Sequence, residues 1–294
     1  DYMQMGYRNV GLKQKWQAVK EQLGMFGDVG VKGVKGMLSK ERLPEDLLKG
    51  ALRYKHDLST FRDGTIRFDA VDITMTHFKP SEIGLTAEKA RALGYECETA
   101  DSVVELRCQD IVIPQNCADK LLKVTQYMDE LLEKMYGLEP YYNCKQISDL
   151  FGHMAMGIAP HTSGAILCRV IGVADIKGHY GHPYFHAAKR RNCDGDIDSI
   201  ILLLDGLVNF SRLFLPGNRG GLMDAPLILT TRIDPSEIDK EAHNVDINWE
   251  YPIEFYELTQ TIPDAKEAIT KGGIITVAQV LGTPAEYAGF GYTH

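Results

Sequence analysis

The stretch GHPYFHAAKRRNCDGDIDSIILLLD, residues 181 to 205, decides how the chain is read. At its centre Asp194-Gly195-Asp196 sets two carboxylates one residue apart. Glycine between them lets the backbone bend without a Cβ clash, so both side chains can aim at one point. Paired carboxylates of this kind suit Mg²⁺, which takes one or two protein oxygens and leaves its other positions to water and substrate phosphates. Lys189, Arg190 and Arg191 stand directly upstream and place positive charge where a polyanion would approach. Before the turn, Tyr184 to Lys189 is expected to be a strand. After it, Ser199 to Phe214 is expected to be a mostly buried helix, with Asp205, Asn209 and Arg212 as its polar stripe and Leu203 and Leu207 in the core.

Other chemistry is open to the same residues. Asp194, Asp196, Asp198 and Asp205 have the spacing of calcium-loop ligands, but Ser199 stands where that loop needs glycine, and an apolar run fills the positions after it. A D-x-D turn also holds the metal of a nucleotide sugar in metal-dependent glycosyltransferases, and the tripeptide alone leaves that alternative open. Residues 1–150, however, lack the alternating strand and helix pattern of a nucleotide-binding half. A noncatalytic DNA-holding module would need the basic strip but not the carboxylates. Asp198 or Ser199 could also serve as a helix N-cap.

The histidines give no hydrolase or zinc-helix pattern. Pro183 between His182 and His186, and the lack of a glutamate after His182, exclude the H-E-x-x-H arrangement. On a strand the two would share a face, and packing or substrate-side hydrogen bonding is expected of His182 and His186 rather than zinc. Ser163 beside His161 lacks the G-x-S-x-G elbow.

Outward from this stretch, the clearest helix is Asn116 to Tyr136. Leu121, Val124, Met128, Leu131, Leu132 and Met135 form one face, and Gly137 ends it. Its other face, with Lys120, Lys123, Asp129, Glu130, Glu133 and Lys134, is expected to be solvated. Further helices are expected from Pro44 to Leu58, from Thr86 (N-cap) to Leu93, and between Gln146 and Met156. Strands are expected over Val103 to Ile113, Ala165 to Ala174 and Leu227 to Arg232, with a hairpin-type turn at Arg62-Asp63-Gly64-Thr65. Gly27, Gly30, Gly33 and Gly36, with Lys32 and Lys35 between them, lack the Lys-Ser or Lys-Thr of a phosphate loop and read as a surface loop.

Bulk properties limit the choices. The 294 residues are 44% hydrophobic and 24% charged, enough for one large domain or two ordinary ones. A boundary near residue 100 is expected, with a mixed α+β accessory, DNA-cradling segment at 1–100 and a catalytic segment at 101–294. The longest apolar run, Ile200 to Leu215, is interrupted by Asp205, Asn209 and Arg212 and falls short of the roughly 20 residues a membrane span needs. With no secretory signal at the start, the cytoplasm is the expected compartment. Six cysteines without C-x-x-C spacing are expected to be free thiols. A net charge of −8 would argue against nucleic acid, so basic charge has to be judged locally. The absence of an initiator Met suggests a segment of a longer chain.

PYFHAAKRRNCDGD at 183 to 196 resembles the signature of the archaeal family D DNA polymerase large subunit. The flanks are similar too: GVKG at 33–36, FRDGTIRFDA at 61–70, THFKPSEIG at 76–84, MDELLEKMYGLE at 128–139, APHTS at 159–163 and MDAPLILTTRIDP at 223–235. The resemblance implies an α+β fold with a double-psi β-barrel catalytic core of the two-barrel polymerase type, flanked by helical and mixed accessory segments. It implies a DNA-directed DNA polymerase, in which a primer 3′-hydroxyl attacks a deoxynucleoside triphosphate. Asp194 and Asp196 match the metal-binding aspartates for Mg²⁺, or Mn²⁺ in its place, with Asn192 in the same catalytic loop. Lys189, Arg190, Arg191 and His186 would lie on the substrate and DNA side. Ile197 departs from the acidic residue usual there, which removes a metal role from that position. The implied partners are primer-template DNA, a small proofreading subunit and, through regions outside this chain, a sliding clamp. Half the active site would come from a facing barrel, so the isolated piece is expected to be inactive.

Overall fold

The computed structural model describes residues 46–212, 215, 217–230, 246–248 and 250–280. The glycine series at 27–36, with Lys32 and Lys35, lies outside them. In chain order the elements are α1 (Leu47–Lys55), β1 (Phe68–Thr74), β2 (His77–Phe78), α2 (Ala87–Ala92), β3 (Val104–Glu105), β4 (Asp110–Pro114) and α3 (Gln115–Leu131). They continue as β5 (Met154–Ile158), β6 (Gly164–Ala174), β7 (Gly178–Gly181), α4 (Pro183–Ala188), β8 (Ile197–Leu202), α5 (Leu203–Asn209) and β9 (Ile228–Thr230). The last are α6 (Ile253–Thr259), α7 (Ala265–Lys271) and α8 (Val277–Val280). The class is mixed α+β with a partly parallel sheet, as expected. None of the described helices is long and apolar enough to cross a membrane.

The chain forms two compact units, each discontinuous in sequence. Among described residues the first comprises 46–69, 116–165 and 199–229, and the second 70–115, 166–198 and the residues from 230 on.

In the first unit α3 is the central helix. Cys117, Leu121, Val124, Met128 and Leu131 recur at steps of three and four and are all buried, each large side chain contributing about 1.5–3 kcal/mol. One π turn, Leu132–Tyr136, carries the helix to Gly137, whose φ of 65° ends it as the sequence predicts. The opposite face of α3 is less solvated than expected. Glu130 Oε1 accepts from Lys55 of α1 at 2.5 Å, and Asp129 accepts the N–H groups of Tyr141, Tyr142 and Asn143 at 2.7 to 2.9 Å. Strand β5 pairs antiparallel with β8 from Ala155↔Leu202 to Ile158↔Ser199.

The helix expected over 146–156 is only a short 3₁₀ turn, Ile147–Leu150, followed by Gly152 at φ 104° and then β5. The helix expected over 199–214 is also corrected. Its first part is β8, where Asp198, Ile200 and Leu202 are buried while Ile197 and Ser199 are not fully so, and only α5 is helical. On α5 the phase is inverted: Asp205 and Asn209 face inward, and Leu207 is 67% exposed. Residues 213 and 214, at the end of the expected helix, lie outside the described residues, as do 231 and 232 of the expected strand that β9 begins.

In the second unit β4 runs parallel to β6 and antiparallel to β7, and β7 runs parallel to β1. Ile111, Val112 and Ile113 of β4 and Ile166, Val170 and Ile171 of β6 are buried, so both faces of these strands are largely covered, as parallel pairing favours. Strand 103–113 of the sequence reading is divided into β3 and β4 by a turn. Helix α2 begins as expected, with Thr86 Oγ1 accepting from the Lys89 N–H at 3.2 Å.

Candidate active site

Helix α4 corrects the strand expected over 184–189. His182 accepts the Tyr184 N–H at 3.1 Å as N-cap, and Pro183 occupies the first helical turn, where its missing N–H costs nothing. The helix ends at Lys189, and residues 190–197 form a loop leading into β8. Its backbone reverses through left-handed conformations at Arg190 (φ 63°), Cys193 (φ 59°) and Gly195 (φ 115°). Only glycine adopts the last of these without strain, so Asp194 and Asp196 depend on Gly195 for their presentation.

The loop divides its charged residues between surface and interior. Arg190, Asn192 and Asp194 are exposed, and Asp196 is half-buried. Asp196 Oδ2 accepts the Asn192 N–H at 3.2 Å and lies 3.7 Å from the Arg191 guanidinium. Lys189 is buried, with its ammonium between Asp72 and Asp198, 3.1 Å from Asp72 Oδ1. His186 is also buried, its Nε2 3.0 Å from the Ile73 carbonyl. The residues expected on the substrate side therefore separate: Arg190 and Arg191 reach the surface or its edge, while Lys189 and His186 are interior.

Beneath the loop lies a buried cluster that sequence spacing did not reveal. Asp72 on β1 stands opposite His179 on β7 in parallel register, with Oδ1 3.2 Å from Nε2, and Oδ2 is 3.7 Å from His186 Nδ1. One atom from each of Asp72, His179 and His186 lies within 4.8 Å of the others, so the group could hold a metal ion. The available signal was a carboxylate set between apolar neighbours in a strand, Ala70-Val71-Asp72-Ile73.

Burial alone would raise the Asp72 carboxyl, but Lys189 and the two histidines hold it well below the usual carboxylate range. Burial raises Asp198, Lys189 opposes the rise, and the ionised Asp72 nearby adds to it. Burial would lower Lys189, yet Asp198 and Asp72 more than offset it and keep the ammonium charged. Burial, with Lys189 next, drives His179 well below its ordinary value, so its imidazole is neutral at neutral pH.

The two candidate donor sets differ in chemistry. Asp72, His179 and His186 offer nitrogen as well as oxygen and already face an ammonium, which is poor for a hard cation. Asp194 and Asp196 offer only oxygens, on a turn open to water and phosphate. That set fits Mg²⁺.

Residues 25–294 match the family model for the DNA polymerase II large subunit DP2, catalytic domain. The chain belongs to this family. Curated members named DNA polymerase II large subunit include those of Archaeoglobus fulgidus (49% identical over 98% of the chain), Methanococcoides burtonii (50% over 98%) and Pyrococcus furiosus (50% over 93%). The chain spans about a quarter of the length of these members, 26%, 26% and 22% respectively. Membership in this polymerase family favours neither a glycosyltransferase nor a noncatalytic DNA-holding module.

Proposed function

We propose that this chain is the part of a DNA-directed DNA polymerase that carries the carboxylates of nucleotidyl transfer, Asp194 and Asp196. The observation that supports it most is the Asp194-Gly195-Asp196 turn at the surface, with Asp194 exposed and Asp196 half-buried, in a chain of this family. The reaction is attack of a primer 3′-hydroxyl on the α-phosphate of a deoxynucleoside triphosphate, with pyrophosphate leaving. Asp194 and Asp196 would hold Mg²⁺, or Mn²⁺ in its place, and Asn192 ties the loop to Asp196 through its N–H. Bound ions of this kind activate the attacking hydroxyl and neutralise charge on the leaving oxygens. Arg190, on the exposed side of the loop, is placed to meet template or triphosphate phosphates.

On this reading the fold is a double-psi β-barrel that faces a second barrel, and the alternation of parallel and antiparallel pairs through β6, β4, β7 and β1 is consistent with it. The partners are primer-template DNA, a small proofreading subunit and a sliding clamp engaged through regions outside this chain. The test is Asp194→Asn and Asp196→Asn in the complete enzyme. Each should abolish primer extension with unchanged folding, and retention of more than a few per cent of wild-type extension would falsify the assignment.

A further inference from the structure

Lys189 is the last buried residue before the 190–197 loop, and Asp198 is the first buried residue after it. The Lys189 ammonium joins Asp198 Oδ2 to Asp72 Oδ1, and all three side chains are at most 1% exposed. Arg191 closes the same join from the loop side, its Nε donating to Asp198 Oδ1 at 2.7 Å. The strand below adds a backbone tie, the Asp72 N–H donating to the Asp196 carbonyl at 2.9 Å. The two ends of the loop are thus fastened to each other and to β1 by charged groups shut off from water.

Buried ion pairs are an inefficient way to stabilise a fold, because desolvation opposes the Coulomb gain and apolar residues of similar volume often do as well. What they add is direction: charge-assisted hydrogen bonds fix donor and acceptor more tightly than dispersion contacts do. Here that direction is applied at the base of the turn that presents Asp194 and Asp196. Resting on the function proposed above, we propose that Lys189, Asp72 and Asp198, with Arg191 as their outer member, are positioning residues. They touch neither metal nor substrate and set the spacing of the two carboxylates in the loop. Lys189, held in this way, does not reach the phosphates of the triphosphate.

The test uses the complete large subunit with its partner subunit and two variants, Asp198→Asn and Arg191→Gln. Mn²⁺ binding is read by electron paramagnetic resonance, against Asp194→Asn as the control that removes a proposed ligand, together with the Mg²⁺ dependence of extension and the melting temperature. Both variants should lose about tenfold or more in Mn²⁺ affinity and need correspondingly more Mg²⁺, with the KM for nucleotide unchanged. Folded variants with wild-type Mn²⁺ affinity overturn the proposal. If Asp198→Asn does not fold, Arg191→Gln decides alone, because its side chain sits at the outer, partly exposed edge. Wild-type Mn²⁺ binding by Asp194→Asn would instead overturn the functional reading itself, so the two failures are told apart.

Discussion

Asp72 and His179 face each other across parallel strands in direct register, with Asp72 Oδ1 3.2 Å from His179 Nε2. With the imidazole neutral and Lys189 charged, the Asp72 carboxylate is neutralised by the protein's own ammonium. Chelation should therefore leave the melting temperature of this polypeptide unchanged. A marked fall on treatment with EDTA, together with one zinc released per chain, would show that Asp72, His179 and His186 hold a structural metal instead.

Asp205 on α5 is fully buried, accepting the Ile66 N–H at 2.7 Å and the Asn209 side-chain N–H at 2.8 Å. Burial pushes its carboxyl up to about 6, with those two hydrogen bonds opposing. Because the folded value lies above the unfolded one, the native state keeps its proton longer. Stability from this group is full below about pH 4, falls between about 4 and 6 as the proton is lost, and is lowest above that range. Asp205→Asn removes this dependence. Relative to wild type the variant should gain on the order of 3 kcal/mol between pH 4 and pH 7.5. Parallel stability curves across that range would contradict the assignment.

Asp110 is 5% exposed and accepts from Arg169 through both oxygens at 2.8 and 2.6 Å, while the Tyr95 hydroxyl donates to it at 2.5 Å. Arg169→Met leaves the carboxylate buried with one neutral donor, which should cost about 3–5 kcal/mol. Tyr95→Phe removes that donor and the acceptor of the Arg107 N–H at 3.4 Å, and should cost about 1–3 kcal/mol, less than Arg169→Met. Chemical denaturation of both variants checks the order, and equal losses would mean that Arg169 is not the dominant partner.

The sequence was most legible where a long period acts without help from distant residues. The 3.6-residue recurrence along α3 and the Thr86 cap of α2 are local signals, and both elements form as expected. Short apolar runs were not legible in this way. Ile197 to Leu202 could be strand or buried helix by periodicity, and pairing with β5 settles it as strand. At 183–188 aromatic residues suit a strand, but Pro183 in the first turn and the His182 cap favour the helix that forms. In the proposed site, Asp194, Asp196 and Asn192 could be named from the sequence because they lie within five residues of one another. Asp72 could not, because it lies 117 residues from Lys189 and only the fold brings them together.

The inverted phase of α5 makes the last prediction. A sequence reading that buries Leu207 expects Leu207→Ser to lose about 1.5–3 kcal/mol, the value of a buried leucine side chain. With Leu207 67% exposed, the same change should stay within about 0.5 kcal/mol. Glycines on either side of the same comparison separate soft from rigid surroundings. A Cβ on Gly206 would meet the tip of Met156, the far end of a flexible side chain that can move aside. A Cβ on Gly178 would stand 2.5 Å from the Val71 carbonyl oxygen, backbone that is fixed in the β1–β7 pairing. Gly178→Ala should therefore destabilise far more than Gly206→Ala, by several kcal/mol against about 1–3 kcal/mol for overpacking that repacks. Denaturant midpoints for the three variants should rank Leu207→Ser, Gly206→Ala and Gly178→Ala in order of rising cost. A Leu207→Ser loss as large as that of Gly178→Ala would mean that α5 is rotated from the orientation described, with Leu207 in the core and Asp205 turned away from the Ile66 N–H.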